Sequence, residues 1–129
     1  ADGVALRAAI VLGCDLAYMG TRFIATQQSL AAPAYKDMLV TASLDDIVLS
    51  RALTGLETNL LRPSVELAGM DATGVGSLDA GAGGIAANAP RRWKDVWSAG
   101  HTVAQVHDLP NVSDLVERIA GEYTAAMAR

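Results

Sequence analysis

The spacing of apolar residues predicts that the chain begins with a helix followed by a strand. Residues 3–12 are apolar on nearly every side, which predicts a largely buried helix with Asp2 as its N-cap and Gly13 just past its end. Residues 14–19 form a short apolar run that predicts a buried strand, and residues 23–26 predict a short extended or turn segment. This opening predicts a helix–strand unit of an α/β protein.

The rest of the pattern predicts further helices, two more strands and one long loop. The helices are residues 33–42, 63–68, 91–98 and 113–126, the strands are residues 46–52 and 102–106, and the loop is residues 71–90. Pro33 and Pro63 suit the first turn of their helices, and Gly69 ends the second of these. Trp93 and Trp97 are four residues apart, which predicts core aromatics on one helix face. The loop is rich in glycine and has no periodicity.

Composition and charge narrow the class of protein. The chain has 129 residues, 51% of them hydrophobic, and a formal net charge of −4, so it is typical of a globular domain and unsuited to nucleic acid or an anionic membrane. The single cysteine, Cys14, cannot form an internal disulfide, which fits a cytoplasmic protein, and on an apolar strand it is expected to pack.

No apolar run reaches the roughly 18 residues of a membrane span, and we recognise no signal peptide. His101 and His107 lack partners at ligand spacing, so we expect no metal site, and His107 should lie at the surface.

The end of the predicted first strand carries the most informative chemistry. Gly20 and Thr21 follow it directly, and a strand that ends in Gly-Thr can present bare amide groups to an anion. The helix N-terminus at Gly3 offers a second anion site, so the two loops together predict a phosphate clamp. Asp2 is expected to cap the helix, because its charge would repel a phosphate. Arg22 has two alternatives, pairing with a phosphate or pointing away to a carboxylate.

Several short motifs occur in a fixed order along the chain. They are Asp2-Gly3, Leu12-Gly13-Cys14-Asp15, Met19-Gly20-Thr21-Arg22-Phe23-Ile24-Ala25-Thr26, Ala34-Tyr35-Lys36-Asp37-Met38-Leu39-Val40, Asp46-Ile47-Val48-Leu49, Thr54-Gly55, Leu61-Arg62-Pro63-Ser64, Trp97-Ser98-Ala99-Gly100, Leu109-Pro110 and Val112-Ser113-Asp114-Leu115-Val116. In this order they resemble the C-terminal portion of the nitronate monooxygenase family, also called the 2-nitropropane dioxygenase-like family. Flavin-dependent enoyl reductases are relatives of that family.

The resemblance implies a fold and a cofactor. Family members are (β/α)8 TIM barrels of about 300 or more residues, so this chain would be the last helix–strand unit of a barrel, with a helical lid and C-terminal helices. The cofactor would be FMN, with its phosphate held at Tyr18, Met19, Gly20 and Thr21 and supported by Gly3. The implied segments are a phosphate-binding helix–strand unit at residues 1–26, a helical insert at residues 27–99 and a C-terminal segment at residues 100–129.

The resemblance also implies substrates and partners. The reaction would oxidise an alkyl nitronate or nitroalkane with O2, and the family's catalytic base is expected upstream of this chain. His101 follows Gly100, where the family commonly has a Gln that faces the flavin, so His101 and Ser98 are the possible catalytic residues here. One alternative is a flavin-dependent enoyl reductase. Another is a non-catalytic fragment, which would pair with the missing N-terminal barrel portion or self-associate.

Overall fold

The computed structural model of the chain describes residues 1–51, 56–70 and 94–128. The chain divides into two compact units, the first made of Ala1–Thr41 and Thr102–Arg129 and the second of Ala42–His101. Among the described residues, no helix is long and apolar enough to cross a membrane, and no group of His, Cys, Asp and Glu side chains could hold a metal ion. The three segments implied above remain a prediction.

The first helix, α1, spans Gly3–Val11 and has the ends that the sequence predicts. The Asp2 side chain accepts a hydrogen bond of 2.7 Å from the amide of Ala5, and Gly13 takes a positive φ of 100° beyond the last turn. The prediction that the helix is largely buried is wrong, because Gly3 is its only buried residue. Helix α1 packs mainly against a single helix, so the sides that face away from this contact stay exposed.

That partner is α5, which spans Val112–Met127 and is the longest helix of the first unit. Leu115 and Ile119 are its buried residues. The two helices approach to backbone contact at Gly3, where an added Cβ would overlap the carbonyl oxygen of Ile119 and the amide nitrogen of Tyr123. The Gly3 amide also donates a hydrogen bond of 2.8 Å to the carboxylate of Glu122. Only a glycine fits at this crossing.

The buried strand predicted for residues 14–19 is wrong in this structure. The segment is irregular and exposed, with Leu16 88% and Tyr18 100% exposed, and Cys14 is exposed as well. A strand exists only through hydrogen bonds to a neighbouring strand, and no described residue pairs with this segment. The packing role predicted for Cys14 fails for the same reason.

A short helix, α2, spans Thr21–Ile24, where the sequence predicted an extended or turn segment. The amides of Phe23 and Ile24 both donate to the Gly20 carbonyl, at 3.0 and 3.1 Å, and close the turn. The Thr26 hydroxyl, which is buried, donates to the Phe23 carbonyl at 2.8 Å and ends the segment. The local hydrogen bonds therefore favour a helical turn over an extended chain.

The first unit also contains a third helix and most of a 3-10 turn. Helix α3 spans Pro33–Thr41, close to its predicted bounds, and Leu39 is its buried residue. The strand predicted for residues 102–106 is wrong, because a 3-10 turn covers His101–Gln105. Val103 and Val106 are both buried and three residues apart, a spacing that suits a 3-10 turn and would place them on opposite faces of a strand.

The second unit contains a β-hairpin and a helix. After a 3-10 turn at Leu44–Asp46, strands β1 (Ile47–Ser50) and β2 (Thr58–Leu61) pair antiparallel. Helix α4 spans Arg62–Leu67 with Pro63 in its first turn, and Gly69 follows it with a φ of 72°. The predicted helix start at Pro63 and the predicted helix end at Gly69 are therefore confirmed.

The helix predicted for residues 91–98 is wrong over its described part. Ser98 forms an antiparallel bridge with Leu60, and the Leu61 amide donates to the Trp97 carbonyl at 2.8 Å. The buried Ser64 hydroxyl accepts from the Trp97 amide at 2.9 Å, which fixes this segment beside α4. Trp93 and the predicted loop at residues 71–90 lie outside the described residues.

We expect Gly3→Ala to destabilise the first unit by about 1–3 kcal/mol, because the added methyl group meets the backbone of α5 and neither helix can yield without breaking its hydrogen bonds. Urea unfolding followed by circular dichroism measures this change. The matched control is Gly121→Ala in α5, where an added Cβ meets nothing within 4 Å. The control should be neutral or more stable by about 0.5–1 kcal/mol, since alanine is the better helix former. Equal effects at the two glycines would contradict this account.

Candidate functional site

Three of the predicted cofactor residues line one open cavity in the first unit. Tyr18, Met19 and Gly20 line a cavity of about 510 Å³. The other lining residues are Phe23, Ile24, Thr26, Gln28, Ser29 and Val112. Thr21 follows Gly20 as the first residue of α2 and is buried.

Gly20 leaves room for a ligand beside the backbone. Its φ of −87° is one that any residue adopts, so the turn itself does not require glycine. An added Cβ would have the Tyr18 ring as its nearest neighbour, with Cε1 3.8 Å away. The absence of a side chain therefore opens the space next to the amides that begin α2.

The cavity wall is joined to the segment that leads into α5. The Gln27 amide donates to the Pro110 carbonyl at 3.0 Å. The Gln28 side chain donates to the Asn111 side chain at 3.1 Å and accepts from the Val112 amide, also at 3.1 Å. These bonds hold the polar part of the wall in place.

Arg22 does not line this cavity, and it takes the second of its two alternatives. Its side chain is 4% exposed and donates to the Ala25 carbonyl at 3.3 Å and to the Asp108 carbonyl at 3.1 Å. It also pairs with Asp108 Oδ1 at 2.5 Å. The guanidinium is therefore engaged by a carboxylate and two carbonyl groups.

Asp108 is shared between two arginines. Its second oxygen, Oδ2, pairs with Arg118 at 2.8 Å. The hydrogen bond from Arg118 is the main cause that holds the pKa of Asp108 below its ordinary value of 3.8, with Arg22 adding to the effect and partial desolvation opposing it. Asp108 therefore stays ionised in the folded protein over the whole neutral range.

The predicted anion site at the N-terminus of α1 is engaged by a carboxylate of the chain. The Gly3 amide donates a hydrogen bond to the Glu122 carboxylate, and the Asp2 side chain accepts one from the Ala5 amide. A phosphate at Gly3 would have to displace Glu122, so a phosphate contact at Gly3 remains a prediction. The observed role of Gly3 is the close packing of α1 on α5.

The two possible catalytic residues lie in the second unit. Ser98 is half-buried at the bridge to Leu60, and His101 is exposed at the first position of its 3-10 turn. His107, in the first unit, is exposed as predicted. The catalytic roles of Ser98 and His101 remain predictions.

Sequence reasoning missed Asp108 and Gln28, whose side chains bond to distant segments of the first unit next to the cavity. Arg22 gave a partial signal for Asp108, because an arginine next to an apolar segment needs an acceptor. The sequence could not single out Asp108, which lies 86 residues away, from the other carboxylates. Gln28 carries no motif or periodicity that would mark it.

The chain belongs to the nitronate monooxygenase family, whose profile matches residues 1–122, so the predicted family is confirmed. The structure resembles FabK from Thermotoga maritima, with a TM-score of 0.71 and 22% identity, covering 99% of this chain and 43% of that one. It also resembles a mutant of the same FabK, with a TM-score of 0.69 and 23% identity, covering 99% of this chain and 40% of that one. No curated protein matches the chain in sequence.

These likenesses define the class of the protein. The chain spans less than half the length of the FabK structures, and at this identity the likeness concerns the fold alone. The α/β class is confirmed, and the family is one of flavin-dependent oxidoreductases.

The shared carboxylate makes stability depend on pH in the acid range. Because the pKa of Asp108 is lowered by folding, its contribution is fully present above about pH 4 and is lost as the pH falls through the folded-state value. We expect Asp108→Asn to be less stable than the wild type by about 1–2 kcal/mol at pH 6, with a smaller further loss on acidification.

Urea unfolding between pH 6 and pH 2.5 measures how the free energy of unfolding changes with pH in the wild type and in Asp108→Asn. The control is Glu57→Gln, since Glu57 pairs with Arg51 where both side chains are well exposed, and its profile should run parallel to that of the wild type. An Asp108→Asn profile parallel to that of the wild type would show that Asp108 is not stabilised by folding.

Proposed function

We propose that this chain supplies the FMN phosphate site of a flavin-dependent oxidoreductase that oxidises alkyl nitronates or nitroalkanes with O2. The observation that carries the proposal is the family match over residues 1–122. In this proposal the phosphate lies against Gly20 and Thr21, with Tyr18 and Met19 on the same side of the cavity. The chain would then form the last part of a (β/α)8 barrel.

The described residues suit such a group. The backbone at Gly20 is open because a side chain is missing there, and the nearest atom to an added Cβ is 3.8 Å away. Amides at the start of a helical turn and a threonine hydroxyl are the donors that phosphate oxygens accept from. Gln28 and Ser29 are polar residues that also line the cavity.

The chain's own contribution is binding and orientation. FMN, when bound, would supply the redox chemistry. Gly20 and Thr21 would fix the phosphate end of the cofactor. We assign the base that removes the substrate proton to the part of the enzyme outside this chain. His101 and Ser98 are the residues here to test for contact with the substrate.

The proposal extends to partners and location. The irregular segment at residues 14–19 would become a barrel strand when it pairs with the N-terminal barrel portion, and self-association is the alternative for the chain alone. A cytoplasmic location is supported by the single, unpaired Cys14.

A second candidate function is flavin-dependent enoyl reduction, an activity found among relatives of the family. The likeness of the fold to the two FabK structures is the observation that favours it. Both candidates use the same phosphate site, and they differ in the substrate and in whether O2 or a reduced nicotinamide takes part.

Turnover assays on the purified, FMN-loaded enzyme that contains this chain distinguish the two candidates. We expect nitronate-dependent O2 uptake, and no turnover from the 129 residues alone even with added FMN. Oxidation of a reduced nicotinamide that depends on an enoyl thioester, without nitronate-dependent O2 uptake, would favour the second candidate. Turnover by the isolated chain would show that the base lies within it, with His101 the first residue to substitute.

Substitution at Gly20 tests the phosphate site. We expect Gly20→Val to weaken FMN binding by about ten-fold or more, because the side chain fills the space beside the amides and a charged hydrogen bond contributes about 1.5–3 kcal/mol. Gly20→Ala should have a smaller effect in the same direction. Fluorescence titration measures both affinities, with Gly121→Ala as a control that should bind FMN normally. An unchanged FMN affinity in Gly20→Val would contradict the assignment of the phosphate site to Gly20.

A further inference from the structure

We infer that Asp108 is a positioning residue of the cofactor site, which holds the turn at Gly20 and Thr21 in its phosphate-binding form through Arg22. The inference rests on the function proposed above. Asp108 itself does not line the cavity around Gly20. Its effect would pass through the guanidinium of Arg22, the residue that directly follows Thr21.

Arg22 links the turn that begins α2 directly to Asp108. Arg22 is the second residue of α2, directly after Thr21, and its side chain is 4% exposed. One guanidinium nitrogen donates to both the Ala25 carbonyl, at the end of the same turn, and the Asp108 carbonyl. The other nitrogen pairs with the Asp108 carboxylate. One side chain thus fastens the whole turn to a segment 86 residues further along the chain.

Leaving the buried charge of Arg22 without a partner would be costly in free energy. A guanidinium at this depth is tolerated because a carboxylate and two carbonyl groups satisfy it. Without the Asp108 charge, the least costly response is for Arg22 to turn outward to water. Arg22 lies inside a helix of four residues, so this movement would disturb the amides of the two residues directly before it, Gly20 and Thr21.

The surroundings show why Asp108 has this role rather than its neighbours. The bonds from Gln27 to Pro110 and from Gln28 to Asn111 join the same two segments, but they are neutral, and the Gln28 bond is exposed. Arg118 holds the other carboxylate oxygen from the surface, with its side chain 44% exposed. Arg118 therefore orients Asp108, while Asp108 supplies the charge that keeps Arg22 inside.

A comparison of two flavins separates positioning from a general loss of structure. Riboflavin lacks only the phosphate of FMN, so a misplaced phosphate turn should weaken FMN and spare riboflavin. We expect Asp108→Asn, in the enzyme that contains this chain, to bind FMN about ten-fold more weakly and riboflavin with unchanged affinity. Glu57→Gln, which breaks an exposed ion pair in the other unit, should change neither affinity.

A double variant keeps the test decisive if Asp108→Asn folds poorly. Arg22→Gln with Asp108→Asn removes the buried charge and its partner together. If Arg22 acts through its pair with Asp108, the FMN affinity of the double variant should fall no further than that of Arg22→Gln alone. Independent, additive losses would overturn the inference, because they would mean that the two side chains act on FMN separately.

The remaining outcomes distinguish this inference from the proposed function. Equal weakening of FMN and riboflavin in a folded Asp108→Asn would overturn it, as would full retention of FMN. If Gly20→Val weakens FMN while Asp108→Asn does not, the phosphate site stands and only the positioning role of Asp108 falls. A wild-type enzyme that binds FMN no better than riboflavin would overturn both.

Discussion

The buried guanidinium of Arg22 is the group on which the first unit depends. It is 4% exposed, and a charge at that depth must be met by a carboxylate and by further acceptors. Asp108 meets it, and in doing so joins the segment before α3 to the segment before α5. The hydrogen bonds from Gln27 and Gln28 to residues 110–112 join the same two segments. One ion pair and several neutral hydrogen bonds therefore join the same two segments beside the cavity.

Two glycines of the first unit differ in what the fold requires of them. Gly3 lets α1 meet α5 at backbone distance, so it is required by packing. Gly20 has an ordinary backbone conformation and open space in front of it, so neither the turn nor its packing requires glycine. A glycine that the fold does not need, at the side of a cavity, fits best with a ligand that approaches the main chain.

Local signals in the sequence predicted what is decided locally. The caps at Asp2 and Gly13, and the helix starts near Pro33 and Pro63, depend on a few neighbouring residues and are found as predicted. The strands at residues 14–19 and 102–106 failed because a strand depends on a partner that a single run of residues does not specify. In the candidate site, the sequence marked residues 18–21 by their motif, but the pairing of Arg22 with Asp108 is a property of the fold.

We propose that the main chain at Gly20 and Thr21 holds the phosphate of FMN, and a crystal structure of the enzyme with FMN bound tests this contact. We expect phosphate oxygens at hydrogen-bonding distance, about 2.7–3.2 Å, from the amides of this turn, with Arg22 still paired to Asp108. A phosphate held elsewhere, with the cavity beside Gly20 empty or filled by the flavin ring, would contradict it.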